Sequence, residues 1–205
     1  MTEPHPDQGP RAKILELAAD AGVVRPRDLA AYDIHRMTLT RLVDEGLMVR
    51  VGWGLYRLTN AEPMGAPDVV LVSARVPGAV IGLVSALSQY GLTLEIPKTV
   101  DLLLPRGMAS PKMDYPPLRL FRASGDSFDQ GITAIDLDGA RVPITTPAKT
   151  VADCFKFRSR VGKDIALEAL REGLNKKRFT PAEFGAAAKV DRVLAVVRPY
   201  VESLL

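Results

Sequence analysis

Between His35 and Arg41 the chain reads His-Arg-Met-Thr-Leu-Thr-Arg. Wound as a helix, this segment puts Met37, Thr40 and Arg41 on one arc, a set of apolar, hydroxyl and guanidinium groups suited to base edges in a DNA major groove. His35, Arg36 and Thr38 complete the reading element. Arg50 and Arg57 stand on either side of Gly52-Trp53-Gly54, a spacing that suits phosphates on the neighbouring backbone. Raw material for enzyme chemistry is scarce by comparison. His5 and His35 are the only histidines and Cys154 the only cysteine, which leaves no nucleophile–base pair, no soft-ligand set for zinc and no disulfide. Ser85 in GLVSAL lacks the following glycine of a nucleophile elbow, and no phosphate-cradling or dinucleotide glycine motif occurs. Asp101, Asp126, Asp136 and Asp138 are scattered over strand and turn segments without the nearby lysine of a metal-dependent nuclease. The expectation is a protein that is not an enzyme and needs no metal or cofactor.

The elements that would hold His35–Arg41 in place are legible on both sides. Leu39, Leu42, Val43 and Gly46 recur at helical spacing and form an inward stripe opposite the polar arc. Gly46 stops that helix, and LMVRV and LYRL then flank the glycine turn as two strands, a tight hairpin. Upstream, a first helix from near Arg11 carries Ile14, Leu17, Ala18 and Ala21 inward and stops at Gly22, and Pro26 suits the first turn of a second helix. Helix, helix, recognition helix and hairpin make a winged helix-turn-helix over residues 11–60. Such units also serve as protein-interaction modules, so the outline by itself carries DNA binding only by analogy of fold.

Residues 1–10, polar and rich in proline, read as a disordered lead-in without the features of a signal peptide. Residues 61–67 are a turn-rich linker, and 68–205 form a second domain. With no apolar run near the ~20 residues of a membrane span, the chain is expected to be soluble, cytoplasmic and free of membrane contact. The net charge of +3 is unevenly spread: residues 1–60 are neutral, 61–148 carry −2 and 149–205 carry +5. Polyanion attraction therefore has to come from local groups such as Arg36, Arg41, Arg50 and Arg57, helped by the basic tail.

The second domain mixes helices and strands. DVVLVSAR reads equally as a short helix or a buried strand, and AVIGLVSALSQYGLT as an apolar helix ending at Gly91. Strand-like runs follow at 99–104, 118–122 and 132–137, the last leading through Asp138-Gly139 into ARVPI, where Pro143 suits an edge strand. The end is helical: Thr146-Pro147 opens one helix, Lys163 a second with Leu167, Leu170 and Leu174 inward, and Thr180-Pro181-Ala182-Glu183 a third by a capping box. A fourth, Asp191–Leu205, should be kinked or divided by Pro199. The overall class is α+β, a winged helix-turn-helix followed by a mixed α/β domain with a helical end. Lys149, Lys156, Arg158 and Arg160 cluster near the first late helix, either as solvated caps or as a surface for phosphates or an acidic partner.

The wing LVDEGLMVRVGWGLYRL, the central RVPGAVIGLVSAL with QYGLT, and ITTPAKTVADCFKFRSRVGKDIALEALREGL together resemble the AbiEi-type antitoxins of bacterial type IV toxin–antitoxin systems, including the MenA-type antitoxins of mycobacteria. The resemblance implies repression of the protein's own operon through inverted repeats in operator DNA. It also implies neutralisation, direct or indirect, of a cognate nucleotidyltransferase-like toxin. By position it assigns DNA reading to His35–Arg41 and the wing to Arg50–Arg57, and it places Thr146–Thr150 in the antitoxin function; Thr146, Lys149, Thr150, Lys156, Arg158 and Arg160 are the expected partner surface. Trp53 stands at the wing tip where similar proteins often place a basic residue, so stacking or packing is expected there. The alternative is a stand-alone winged-helix regulator whose C-terminal domain senses a small ligand, a role for which aromatic residues, only 6% of the chain, are few.

Overall fold

Proline can open a helix because the N–H it lacks would have no partner there, and the first helix, α1 (Pro10–Ala21), begins on Pro10 and ends at Gly22 with φ of 66°. The computed structural model describes residues 9–52, 54–62 and 64–204. His5 and Trp53 lie outside the described residues, as does the lead-in up to residue 8. Contacts divide the chain into two compact units: residues up to Ala74 with Asp136–Arg141, and Arg75–Ile135 with Val142 onwards.

In the first unit α1 is followed by a 3-10 helix at Pro26–Tyr32, by α2 (Met37–Asp44), and by the antiparallel hairpin of β1 (Met48–Gly52) and β2 (Leu55–Leu58). Ile14, Ala18, Val24, Leu29, Leu39, Leu42 and Met48 form its core. Ala21, expected inward, is exposed. The ambiguous DVVLVSAR run is α3 (Pro67–Arg75), grouped through Ala74 with this unit. Its opening is served by Asp138, whose carboxylate accepts the Gly65 and Ala66 N–H groups at 2.8 and 3.1 Å. Gly22 meets the Asp138 backbone so closely that a Cβ there would fall 1.8 Å from the carbonyl oxygen.

The second unit is built on a five-stranded sheet, in chain order β3 (Val80–Ile81), β4 (Val100–Pro105), β5 (Leu118–Ala123), β6 (Ile132–Leu137) and β7 (Ala140–Thr145), arranged β5-β4-β3-β7-β6. Between these lie α4 (Leu83–Tyr90) and α5 (Asp126–Asp129), and after them α6 (Pro147–Lys156), α7 (Arg158–Val161), α8 (Lys163–Asn175), α9 (Pro181–Val190) and α10 (Leu194–Glu202). The fold is thus α+β, a winged helix-turn-helix followed by a mixed α/β unit with a helical end. Two local expectations are corrected. Val80–Ile81 is a strand rather than the start of α4, because it pairs with Leu102–Leu103. β7 is internal rather than an edge, and Pro143 is accommodated because its neighbour β3 has two residues and pairs at Ile81 with Ile144. On α8 the expected Leu170 is fully buried and Leu167 and Leu174 pack half-buried against the same core, with Ala166, Ala169 and Gly173 completing the buried face; a Cβ on Gly173 would lie 2.2 Å from the Phe179 ring. Pro199 lies inside α10 without dividing it.

Lys149 is 2% exposed and lies between two carboxylates, with Nζ 2.5 Å from Asp153 Oδ1 and 3.1 Å from Asp191 Oδ2. Asp153 is one turn on along α6 and Asp191 follows α9, so this ion cluster joins two helices inside the unit. Burial pushes the Asp153 carboxyl up to about 7, with the Asp191 charge adding to the rise and Lys149 opposing it. Truncating one member of such a cluster leaves buried charge uncompensated, a loss of about 3–5 kcal/mol. Lys149→Gln is therefore expected to lower unfolding stability by that order, whereas exposed Arg158→Gln should stay within about 1 kcal/mol in the same denaturant titration. For Asp153, the folded state keeps its proton up to about pH 7 while the unfolded chain releases it near 3.8, so its contribution falls as pH rises across that interval. The melting temperature of Asp153→Asn relative to wild type should accordingly rise from pH 4 to 7.5, and a flat difference would remove Asp153 from the titrating groups.

Candidate nucleic-acid interface

A helix can present side chains to DNA only if its other face is fixed, and α2 meets this condition. Leu39 and Leu42 are 0% and 1% exposed in the first core, while Met37, Thr40 and Arg41 face solvent. Thr38 is half-buried. His35 and Arg36 precede the helix and are exposed, and the Met37 N–H donates to His35 Nδ1 at 3.2 Å, so the imidazole supplies the acceptor that the helix start requires. Among the described residues, neither Arg36 nor Arg41 meets a carboxylate. Glu45, the acid just beyond the helix, is paired with Arg11 at 2.8 Å. Asp44 is exposed a turn beyond Thr40 and Arg41, which leaves the N-terminal half of α2 as the end chemically suited to approach a polyanion.

The wing is held more firmly than its two strands alone would allow. Val24 and Tyr56 exchange backbone hydrogen bonds at 2.8 and 2.9 Å, adding a bridge on the far side of β2. The signal for it was the β-branched pair Val23-Val24 between Gly22 and Pro26. Nearby, Arg25 and Asp28 cap the 3-10 helix for each other through guanidinium and backbone contacts of 2.8–3.0 Å. The two wing arginines differ. Arg50 is exposed on β1, its Nε donating to the Gly52 carbonyl at 3.2 Å beside the turn. Arg57 is half-buried on β2 and donates to the Glu62 carbonyl, so it is committed to holding the chain after the hairpin. Val49 and Val51 are also exposed on β1.

The expected partner surface in the second unit does not form as one surface. Lys149 and Thr150 are corrected to interior residues: the lysine ammonium pairs with Asp153 and Asp191, and Thr150 Oγ1 lies within hydrogen-bond distance of the Thr145 and Thr146 carbonyls. Thr146 occupies the N-cap position of α6 without a side-chain capping bond. Lys156 turns to Ser127 and Asp191, Arg158 donates to the Phe155 carbonyl, and Arg160 lies over the Phe121 ring and donates to the Leu120 carbonyl. Asp101, weighed above as a metal ligand, is 1% exposed and bridged by Arg119 at 2.6 and 2.8 Å. Cys154 is fully buried, and burial pushes its thiol well up. Among the described residues no helix is long and apolar enough to cross a membrane.

Comparison with known proteins sets these features in context. No curated protein matches the chain. Among solved structures, the RV2827C protein of Mycobacterium tuberculosis is similar with a TM-score of 0.47 and 14% identity, covering 88% of this chain and 81% of its own. Residues 12–59, from within α1 to just past β2, match the family model described as "Transcriptional regulator, AbiEi antitoxin". Over its winged helix-turn-helix the chain therefore carries the sequence signature of the AbiEi antitoxin family of transcriptional regulators.

Proposed function

We propose that the protein is an antitoxin that binds operator DNA through its first unit, represses its own operon, and counteracts a cognate nucleotidyltransferase-like toxin through its second. The observation that carries this reading is the exposed ridge of Arg36, Met37, Thr40 and Arg41 on a helix locked by Leu39 and Leu42, within the segment that matches the regulator family. Inverted repeats in the operator would engage two copies of the ridge, one per half-site. A second reading, a regulator whose second unit senses a small ligand, is favoured by a cavity of about 900 Å³ there. Co-expression separates the two: an antitoxin protects cells making the product of the neighbouring toxin frame, and a ligand-sensing repressor does not.

Arg41→Ala should weaken operator binding by about 1–3 kcal/mol and binding to random DNA by much less, because a mid-helix guanidinium can pair with one guanine edge. Equal losses on both DNAs in a gel-shift titration would take Arg41 off the bases. For the wing, Arg50→Ala should reduce the salt dependence of binding by about one phosphate contact. Arg57→Ala should leave that slope unchanged and lower the melting temperature instead, since its guanidinium holds the Glu62 carbonyl. A lowered slope for Arg57→Ala with unchanged melting would reverse the two roles.

A further inference from the structure

The 900 Å³ cavity lies wholly within the second unit, between the loop after β4, the end of β5, the loop through α5, and the C-terminal end of α9. Its charged lining is cationic: Arg106, Arg122, Lys156, Lys189 and Arg192 face two carboxylates, Asp126 and Asp191. The Asp191 charge is already consumed. It is 4% exposed, accepts from Lys149 at 3.1 Å and Lys156 at 3.4 Å, and takes the Ser127 hydroxyl at 2.6 Å. Lys156 also donates to that hydroxyl. The floor of the cavity is thus a fixed, hydrogen-bonded base in which the Asp191 charge is matched by Lys149 and Lys156.

Above that floor the cations are of two kinds. Arg122 is held in place by the Met108 carbonyl at 2.6 Å and the Ser110 hydroxyl at 2.9 Å. Among the described residues Arg106, Lys189 and Arg192 meet no carboxylate. Arg192 also has φ of 59°, a left-handed conformation uncommon for a long side chain, at the α9 end where it borders the cavity. Three uncompensated cations converging on one concavity focus a positive field, and guanidinium groups suit phosphate oxygens through paired N–H donors. Among the described residues the lining contains no aromatic side chain on which a base would stack. Its volume falls within the range of about 300–1,000 Å³ usual for small-molecule sites.

We infer that this cavity binds a small, multiply charged oligophosphate, recognised through its phosphate chain rather than through a base. The assignment holds under either functional reading above, because it rests on the cavity alone. Of the two carboxylates that line the cavity, exposed Asp126 is the one without a cationic partner among the described residues, and it opposes anion entry.

The test uses the full chain, titrated calorimetrically with inorganic triphosphate, ATP and orthophosphate. Triphosphate and ATP should bind saturably with similar affinity, and orthophosphate about tenfold or more weakly. The triple variant Lys189→Gln, Arg106→Gln, Arg192→Asn removes the three uncompensated charges, asparagine being tolerant of the left-handed backbone. It should melt like wild type without ligand and lose about tenfold or more in triphosphate affinity. Asp126→Asn should bind more tightly. No saturable binding, or affinity unchanged in the triple variant, would overturn the assignment. An RNA oligonucleotide that displaces triphosphate and binds more tightly through the same three residues would also overturn it, in favour of a polymer.

Discussion

One ammonium group, Lys149 Nζ, holds two carboxylates from separate helices inside the protein, and the helical layer of the second unit is arranged around it. The chain has taken three ionisable side chains out of water, a costly step offset because each finds a partner at hydrogen-bond distance. The neighbours show the constraint. Gly131, at φ of 72°, leaves room for the lysine stem, since a Cβ there would lie 2.8 Å from Lys149 Cβ. Its carbonyl accepts the Thr146 N–H at 2.8 Å, just ahead of α6. Asp153 Oδ2 remains without a hydrogen-bond partner among the described residues, which agrees with a carboxyl that burial drives toward its protonated form.

A second buried carboxylate does comparable work at the sheet. Asp101 on β4 accepts the Val84 N–H at 3.0 Å, supplying one of the acceptors that the first turn of α4 lacks, while Arg119 on the parallel neighbour β5 grips both of its oxygens. Its own N–H donates to Ser85 Oγ at 2.9 Å. Leu83, at φ of 49° and fully buried, begins α4 in a conformation unfavourable for leucine. The hydrogen bonds around Asp101 and burial of the leucine side chain hold that turn despite its strain. Both acids thus join secondary-structure elements.

The periodic parts of this architecture were legible because hydrophobic spacing directly encodes a half-buried helix. Leu39, Leu42 and Val43 announced α2, and Thr180 with Glu183 announced α9, whose reciprocal capping bonds are present. What sequence spacing could not reveal was the partner of a charged residue. Lys149 and Asp153 sit four apart, which on an exposed helix is an ordinary surface pair; spacing could not show that α6 is buried from Ala148 to Phe155 or that Asp191, 42 residues away, is the second partner. Likewise β3 is two residues long, too short for any period, and exists because β4 and β7 flank it. The amphipathic rule put leucines inward on α8, where Leu167, Leu170 and Leu174 do meet the core, but it could not show the close approach of Phe179 to Gly173.

The same distinction decides which cations are available for function. A basic residue is free to meet a phosphate only when the fold has not already given it an acceptor, and net charge by segment cannot show this. The tail's excess of +5 includes Lys149, spent entirely on internal carboxylates, and Lys156, shared with Ser127 and Asp191. In residues 1–60, which are neutral overall, Arg25 and Arg57 are engaged in caps and chain contacts, while Arg36 and Arg41 stand on a solvent-facing ridge. The segment with no net charge therefore carries the exposed cations proposed above to meet a polyanion. In the basic tail, Lys189 and Arg192 are among the cations that meet no carboxylate, and they border a concavity rather than a groove-sized helix face. Charge left over after folding, rather than charge counted along the chain, separates a surface shaped for a duplex from a cavity shaped for a compact anion.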